Sequence, residues 1–290
     1  MSHPPVPDTF FLPRPAGQRL CVYHAPHDAA RPARATVVYV HPFAEEMNKA
    51  RRMAALQARA LAAQQCAVLQ IDLLGCGDSS GLLCDARWGD WLADVQAACD
   101  WLTQQHAGAP LWLWGLRAGA LLAVDAAAAR QHGTHLLLWQ PMAAGKPLVQ
   151  QFLRLKAAAS LSDGAAAKAA MAAIRQALAA GETVDIAGYP LSAGLVQDLE
   201  AAVLAKPPAN SQVHWLEVSP RADATLSPAS TRVLEAWQDA GQVVHASVVS
   251  GPAFWQATEI EEAPALLQAS LAAICSAPLV GARPGLELAQ

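Results

Sequence analysis

Charge, long hydrophobic runs and basic clusters are all scarce in this 290-residue chain. Asp, Glu, Lys and Arg make up 15% of the residues, and the formal net charge is −4. Hydrophobic residues reach 53%, but many of them are alanines, which favour helices without requiring a membrane. No stretch approaches the roughly 20 strongly apolar residues that a membrane-spanning helix needs. We therefore predict no membrane span, and the lack of a basic run argues against nucleic acid as the main partner.

Two further absences concern export and metal binding. Residues 1–5 lack the basic and apolar blocks of a secretory signal. The cysteines follow no metal-ligand spacing, which predicts reduced and mostly buried thiols in a cytoplasmic protein, with neither a metal nor another cofactor. The six cysteines are Cys21, Cys66, Cys76, Cys84, Cys99 and Cys275.

What the chain does contain is an alternation of short apolar runs with longer helical patterns. This alternation predicts a parallel sheet that is covered by helices on both faces and connected by right-handed crossovers. The predicted strands are 9–12 and 19–24, which form a leading hairpin, then 36–40, 67–71, 111–114, 135–139, 213–218 and 243–249. The predicted helices of the core are 48–65, which Asn48 can cap, then 86–106, 118–131, 228–240 and 259–275.

The pattern changes between the strand at 135–139 and the strand at 213–218. Residues 152–180 are helical and rich in alanine, 181–194 are more irregular, and a short helix is predicted near 195–204. We predict a core formed by residues 1–142 and 209–277, and a helical cap inserted at residues 143–208. Residues 278–290 are predicted to be a loose tail.

A turn between a strand and a helix presents an arginine. Gly115 and Gly119 flank it, and Arg117 stands at its centre, directly after the apolar run 111–114. A sharp turn of this kind needs small neighbours and projects its central side chain above the sheet. Because α-helix N-termini carry partial positive charge, an arginine beside free amides there would suit a carboxylate or a phosphate.

Four motifs, distributed over nearly the whole chain, resemble those of α/β-hydrolases. The resemblance is narrower to the second of the exosortase A system-associated hydrolases, bacterial proteins encoded among exopolysaccharide and protein-sorting genes. It implies an α/β-hydrolase fold: a mostly parallel eight-stranded sheet with helices on both faces and a helical cap insertion. The motifs are His41-Pro42-Phe43-Ala44-Glu45-Glu46-Met47-Asn48-Lys49, Asp72-Leu73-Leu74-Gly75-Cys76-Gly77-Asp78-Ser79, Trp114-Gly115-Leu116-Arg117-Ala118-Gly119 and Gly251-Pro252-Ala253-Phe254-Trp255.

The resemblance places Arg117 where a serine hydrolase carries its nucleophile. A guanidinium group cannot attack a carbonyl carbon. By position, the amides of Ala118 and Phe43 correspond to the oxyanion hole. Two interpretations of Arg117 remain open. It binds an anionic ligand, or it is neutralised by an internal acid, with Glu217 and Asp223 as the candidates near the usual position of the acid after the seventh predicted strand, 213–218.

The second missing residue is the histidine. In α/β-hydrolases the histidine follows the last strand, but residues 250–255 contain none, and Trp255 occupies that loop. Trp255 could seal the former site or stack against a ligand. Ser-His-Asp acyl transfer by the ordinary arrangement is therefore not expected.

Three functions remain open from the sequence. The first is an accessory or anion-binding role in exopolysaccharide production or exosortase-linked sorting, with a small anionic or acylated ligand or the proteins of that system as partners. The second is an active esterase or deacylase of an acylated sugar or lipid-linked intermediate, with a site relocated to His41 and Glu45. The third is an interaction scaffold with a closed pocket. A cavity above Arg117 would favour ligand binding, whereas a filled site would favour a scaffold.

Overall fold

The computed structural model describes residues 6–130, 133–159 and 164–275, and in 156–159 and 164–167 it describes the backbone alone. The helices are α1 (Glu45–Ala63), α2 (Trp88–Gln105), α3 (Ala118–Arg130), α4 (Lys146–Ala159), α5 (Gly164–Ala179), α6 (Ala193–Ala201), α7 (Pro228–Asp239) and α8 (Pro264–Cys275). The strands are β1 (Asp8–Arg14), β2 (Gly17–His24), β3 (Ala35–Val40), β4 (Cys66–Ile71), β5 (Leu111–Leu116), β6 (Thr134–Trp139), β7 (Val184–Ile186), β8 (Tyr189–Leu191), β9 (Val213–Ser219) and β10 (Val244–Ser250).

Eight strands form one central sheet in the order β1-β2-β4-β3-β5-β6-β9-β10. β1 and β2 pair antiparallel as the leading hairpin, β2 pairs antiparallel with β4, and all later neighbours are parallel. The central strands β3 and β5 are buried along their full length, as expected for parallel strands that are covered on both faces. The predicted α/β-hydrolase fold, with its mostly parallel eight-stranded sheet, is confirmed.

Two apolar layers cover the sheet. Side chains of α2, α3 and α7 pack on one face, and side chains of α1 and α8 pack on the other. On the α1/α8 face, neighbouring strands present a row of aromatic rings, with Tyr39 against Trp114 at 4.2 Å and Trp114 against Trp139 at 4.6 Å between ring centroids. This row leads to Phe254, whose ring contacts Trp139 and which follows the last strand. The loop after β10 is therefore attached to the core through aromatic packing.

The segment between β6 and β9 contains α4, α5, α6 and a small hairpin. The hairpin, β7 and β8, lies in the stretch that the sequence marked only as irregular. The segment is joined to the core by an ion pair in which Arg87 contacts both carboxylate oxygens of Asp198, at 2.7 and 2.9 Å. Phe152 of α4 also packs edge-on against Phe43 with ring centroids 5.1 Å apart. This segment thus lies over the end of the sheet where β3 and β5 finish. The predicted loose tail, 278–290, lies outside the described residues.

The first helix begins three residues earlier than predicted. α1 starts at Glu45, its N-cap is Ala44 with φ of 49°, and no side chain caps it. Asn48, predicted as the cap, is within the helix and donates a hydrogen bond to the Tyr189 hydroxyl at 3.3 Å. The prediction was wrong because two acids in the first turn interact favourably with the helix N-terminus, so that no Asn cap is needed there. This earlier start places Glu46 in the first turn.

Candidate functional site

The elbow after β5 is as tight as its glycines suggest. Arg117 has φ of 56°, a left-handed conformation that non-glycine residues seldom adopt. Its amide donates to the Trp139 carbonyl at 3.0 Å, which ties the turn to β6. A Cβ atom on Gly119 would collide with the carbonyl oxygens of Val40 and His41, so α3 leaves the turn in direct backbone contact with the end of β3. The strained turn is therefore held by its neighbours on both sides.

The Arg117 side chain is paired with Glu46. Its Nε lies 3.2 and 3.3 Å from the two carboxylate oxygens of Glu46, and Nη2 lies 3.0 Å from Oε1. The arginine side chain is 11% exposed and the glutamate side chain is 5% exposed. Burial raises the pKa of Glu46, and the neighbouring guanidinium acts in the opposite direction. The pair is thus a buried, multiply bonded ion pair at the position of a hydrolase nucleophile.

The two acids expected to pair with Arg117 have other surroundings. Glu217 is buried and accepts hydrogen bonds from the Trp215 indole at 3.0 Å and the Ser227 amide at 3.3 Å. Asp223 is exposed in the loop after β9. The expectation of a Glu217 or Asp223 partner was wrong because the segment after β3, which carries Glu46, lies next to the elbow. Val40 pairs with Gly115, so the segments that follow β3 and β5 are adjacent.

Trp255 covers the other side of the guanidinium. The Arg117 Cζ atom lies 5.8 Å from the centroid of the Trp255 ring, within the range of a cation–π contact. Trp255 is buried and packs edge-on against Phe254 at 5.0 Å. An aromatic ring therefore takes the place of the histidine that follows the last strand in an α/β-hydrolase.

The two amides at the oxyanion-hole positions are still present. Among the hydrogen bonds of the described residues, none has the amide of Phe43 or of Ala118 as donor. Both residues line a cavity of about 20 Å³, together with His41, Trp88 and Trp91. The site retains its backbone donors, and the cavity beside them is about the size of one water molecule.

His41 is not free to act as a base. It is buried, its Nδ1 lies 2.8 Å from the Pro42 carbonyl oxygen, and its Nε2 accepts from the Leu73 amide at 3.3 Å. Burial lowers the pKa of its imidazole, which favours the neutral form that these two bonds require. The Pro42 carbonyl accepts only from a protonated Nδ1, so both ring nitrogens are committed to backbone groups.

Glu45 does not orient His41. No hydrogen bond among the described residues joins the two, and the Oε2 atom of Glu45 is buried without a partner. Burial raises the pKa of this carboxyl. The nucleophile candidates near His41 are also occupied or inert: the Ser79 hydroxyl donates to the Asp72 carbonyl at 2.6 Å, and burial raises the pKa of the Cys76 thiol to about 12. The structure therefore does not assemble a catalytic group around His41.

No metal site accompanies this arrangement in the part of the chain that the structure describes. There, no group of three or more His, Cys, Asp or Glu side chains could hold an ion. No helix in the described ranges is long and apolar enough to cross a membrane.

Three solved structures with the same architecture are distant in sequence. A soluble variant of monoglyceride lipase from Saccharomyces cerevisiae is 14% identical, with a TM-score of 0.63 and 94% of each chain covered. An α/β serine hydrolase without a lid from Xanthomonas campestris is 18% identical, with a TM-score of 0.59, 97% of this chain and 99% of that chain covered. Est1E from Butyrivibrio proteoclasticus, in a structure with ferulic acid, is 15% identical, with a TM-score of 0.61 and coverage of 92% and 96%. These likenesses establish the fold.

No curated protein matches this sequence. The model described as serine aminopeptidase, S33, matches residues 31–182, a span that includes the elbow and more than half of the chain. The chain therefore belongs to the serine aminopeptidase S33 family and has the α/β-hydrolase fold.

Proposed function

We propose that this protein is a hydrolase-like accessory protein that has lost acyl-transfer chemistry and acts through interactions with other molecules. The observation that carries the proposal is the buried Arg117–Glu46 ion pair beneath Trp255. A serine hydrolase needs a nucleophile and a histidine base at these places, whereas here an arginine and a tryptophan occupy them. The protein is thus a pseudoenzyme with a degenerate triad.

The geometry favours a closed elbow over an anion-binding one. The Glu46 carboxylate already occupies Nε and Nη2 of the Arg117 guanidinium through three contacts of 3.0–3.3 Å, so a carboxylate or phosphate could make the same bidentate pairing only by displacing it. A ligand would also have to lift the Trp255 ring, which is packed on Phe254. Because a buried charge must stay paired, the internal pair satisfies Arg117 without a ligand. Of the functions left open by the sequence, an interaction scaffold with a closed pocket agrees best with this arrangement.

The esterase or deacylase alternative has less support. It requires an imidazole nitrogen that can take a proton from a nucleophile, but both nitrogens of His41 are bonded to backbone groups. It also requires space for an acyl group beside the oxyanion amides, and the cavity there is about 20 Å³.

Treatment with a fluorophosphonate probe tests the loss of catalysis. We expect no covalent adduct on any serine when the purified protein is mapped by mass spectrometry, because no described serine is paired with a free base. A serine hydrolase mixed into the same reaction serves as the control and is expected to label fully. Stoichiometric labelling of one serine, abolished by mutation of that serine to alanine, would establish an activated nucleophile and overturn the proposal.

The biological setting comes from the resemblance to exosortase A system-associated hydrolases. It supports a cytoplasmic role in exopolysaccharide production or exosortase-linked sorting, with proteins of that system as partners. Deletion of the gene in its own organism is expected to reduce the amount of exopolysaccharide, measured as total extracellular carbohydrate. Complementation with a Glu46→Leu/Arg117→Met double variant is expected to restore it, since the elbow charges are structural in this proposal. An unchanged amount of exopolysaccharide after deletion would contradict the assigned setting but not the loss of catalysis.

A further inference from the structure

A second pocket lies between α1 and the strands β2, β3 and β4, and His41 is the one residue that it shares with the elbow cavity. Its volume is about 240 Å³, just below the range of about 300–1,000 Å³ that holds drug-sized ligands. Apolar side chains such as Val22, Ala54 and Ile71 form part of its wall. Neither Arg117 nor Trp255 lines it. Nothing in the proposed function uses this pocket.

The floor of the pocket contains an unpartnered hydroxyl group. Tyr39 of β3 is 5% exposed, and its ring is fixed against Trp114 with centroids 4.2 Å apart. Its hydroxyl makes no hydrogen bond with any described residue, although the side chain lines the pocket. Burial raises the pKa of this phenol, so it remains protonated and can donate. The hydroxyl is therefore available to donate to an acceptor that binds in the pocket.

The charged groups that face the pocket leave one positive charge unbalanced. Arg51 is paired with Asp72 at 3.1 Å, and these two charges offset each other. His24 is held against the Gln70 side chain at 3.2 Å, and burial lowers the pKa of its imidazole. The remaining histidine, His41, is neutral for the reasons given above. Arg59 lines the pocket and makes no ion pair with any described residue.

This balance selects the ligand class. One unpaired guanidinium fits a ligand with a single negative charge, whereas a phosphate dianion would leave an excess negative charge close to Asp72. The apolar wall requires that the anion carry a hydrophobic body. We propose that the pocket between α1 and the strands β2, β3 and β4 binds a small organic carboxylate. The negative charge of this ligand pairs with Arg59, and its carboxylate oxygen accepts a hydrogen bond from the Tyr39 hydroxyl.

Titration with benzoate, followed by NMR chemical shifts, tests this site on the full chain. Benzamide, a neutral isostere of nearly the same shape, is expected to bind at least about tenfold more weakly, because it cannot pair with Arg59. Arg59→Gln is expected to weaken benzoate binding about tenfold or more, and Tyr39→Phe about tenfold. Both changes keep the packing of the protein, since Arg59 is exposed and phenylalanine retains the ring.

The same helix supplies a matched control. Arg52 is one residue from Arg51, is exposed, and pairs with Glu262 at 2.8 Å outside the pocket. Arg52→Gln removes one positive charge from the protein and is expected to leave benzoate affinity unchanged within about twofold. A filling variant, Ala55→Leu, reduces the pocket volume and is expected to abolish binding without removing a charge.

Two results would overturn the proposal. One is the absence of saturable benzoate binding to the wild-type chain. The other is binding that Arg59→Gln and Arg52→Gln weaken equally, which would show attraction to the net charge of the protein and not to a site. Because the elbow does not take part, either result leaves the proposed loss of catalysis unaffected.

Discussion

Replacement of Glu46 with leucine is expected to lower the free energy of unfolding by about 3–5 kcal/mol. The change removes the carboxylate bonded to the Arg117 guanidinium, which is 11% exposed, and leaves Glu45, which makes no ion pair with Arg117, as the remaining acid close to it. A buried arginine cannot deprotonate to relieve this cost, because its pKa is too high. Chemical denaturation in urea, with the slope checked for two-state behaviour, measures the loss.

A double variant separates the ion pair from its two members. Arg117→Met keeps a long side chain at the same left-handed position, so the backbone cost at φ of 56° is common to both proteins. The double variant Glu46→Leu/Arg117→Met is expected to regain most of the lost stability, since apolar replacements of a buried pair are often neutral or stabilising. The coupling free energy from the four proteins is the quantity that describes the pair.

The stability of the Arg117→Met single variant is expected to depend on pH differently from that of the wild type. Burial already raises the pKa of Glu46, and removal of the guanidinium removes the influence that lowers it. A carboxyl whose pKa is raised in the folded state binds a proton more readily there than in the unfolded chain. Stability is then greater at low pH and decreases as the pH rises through the folded-state pKa. We expect this variant to gain stability relative to the wild type between pH 7 and pH 5.

A surface ion pair provides the control for the cycle. Arg52 and Glu262 lie 2.8 Å apart, with side chains 51% and 40% exposed. Glu262→Gln is expected to change the free energy of unfolding by less than about 1 kcal/mol, because solvent screens exposed charges. If Glu46→Leu costs no more than Glu262→Gln, then Arg117 is not held by Glu46 in solution and the closed-elbow proposal fails.

The fold was predictable because the relevant signals are local. Apolar runs and glycine-flanked turns in residues 36–139 place the strands, the helices and the elbow within a few residues. The hairpin β7–β8 escaped prediction because its strands have three residues each, too few for a period-two pattern to appear. Local patterns therefore gave the core but not the smaller elements of the insertion.

The partner of Arg117 was not predictable from the same signals. Glu46 lies 71 positions earlier in the chain and looks like an ordinary acid in the first turn of a helix. The sequence instead favours Glu217 and Asp223, because the acid of a catalytic triad stands near the end of the strand that corresponds to β9. The information that could have selected Glu46 is the pairing of β3 with β5, which brings the loops after both strands together. Charge pairing across a sheet depends on strand order, which a single sequence specifies only indirectly.

The substitutions at the elbow form one consistent set. Arg117 fills the place of a nucleophile, Glu46 neutralises it, and Trp255 covers it from the loop of the missing histidine. Arg117 without a paired acid would destabilise the site. Trp255 without the Arg117–Glu46 pair would leave the central position of the elbow unfilled. The three side chains form a packed cluster at the elbow, and in the proposed function this cluster stands in place of catalytic groups. This combination is the physical reason to regard the site as structural.

A second large effect on stability is expected from a change in the backbone of the elbow. Replacement of Gly119 with alanine is expected to lower the free energy of unfolding by roughly 3 kcal/mol, because the new methyl group would overlap the Val40 and His41 carbonyl oxygens. These are buried backbone atoms at the end of β3 and in the residue after it, and they cannot move aside as a flexible side chain would. Gly89→Ala is the matched control: nothing lies within 4 Å of its added Cβ, and this exposed position in α2 is expected to gain about 0.5 kcal/mol.

The pair of alanine variants tests whether the close approach of α3 to β3 supports the ion pair at the elbow. Gly119 allows α3 to approach the end of β3, and the same contact brings Arg117 next to the loop that carries Glu46. Loss of this approach should therefore also weaken the ion pair. The combined variant Gly119→Ala/Glu46→Leu is then expected to lose less free energy of unfolding than the sum of the losses in the two single variants. Equal unfolding midpoints for Gly119→Ala and Gly89→Ala would show that α3 does not contact β3 as described. Full additivity would show that the turn and the ion pair are independent, and that Glu46 reaches Arg117 without help from the glycine.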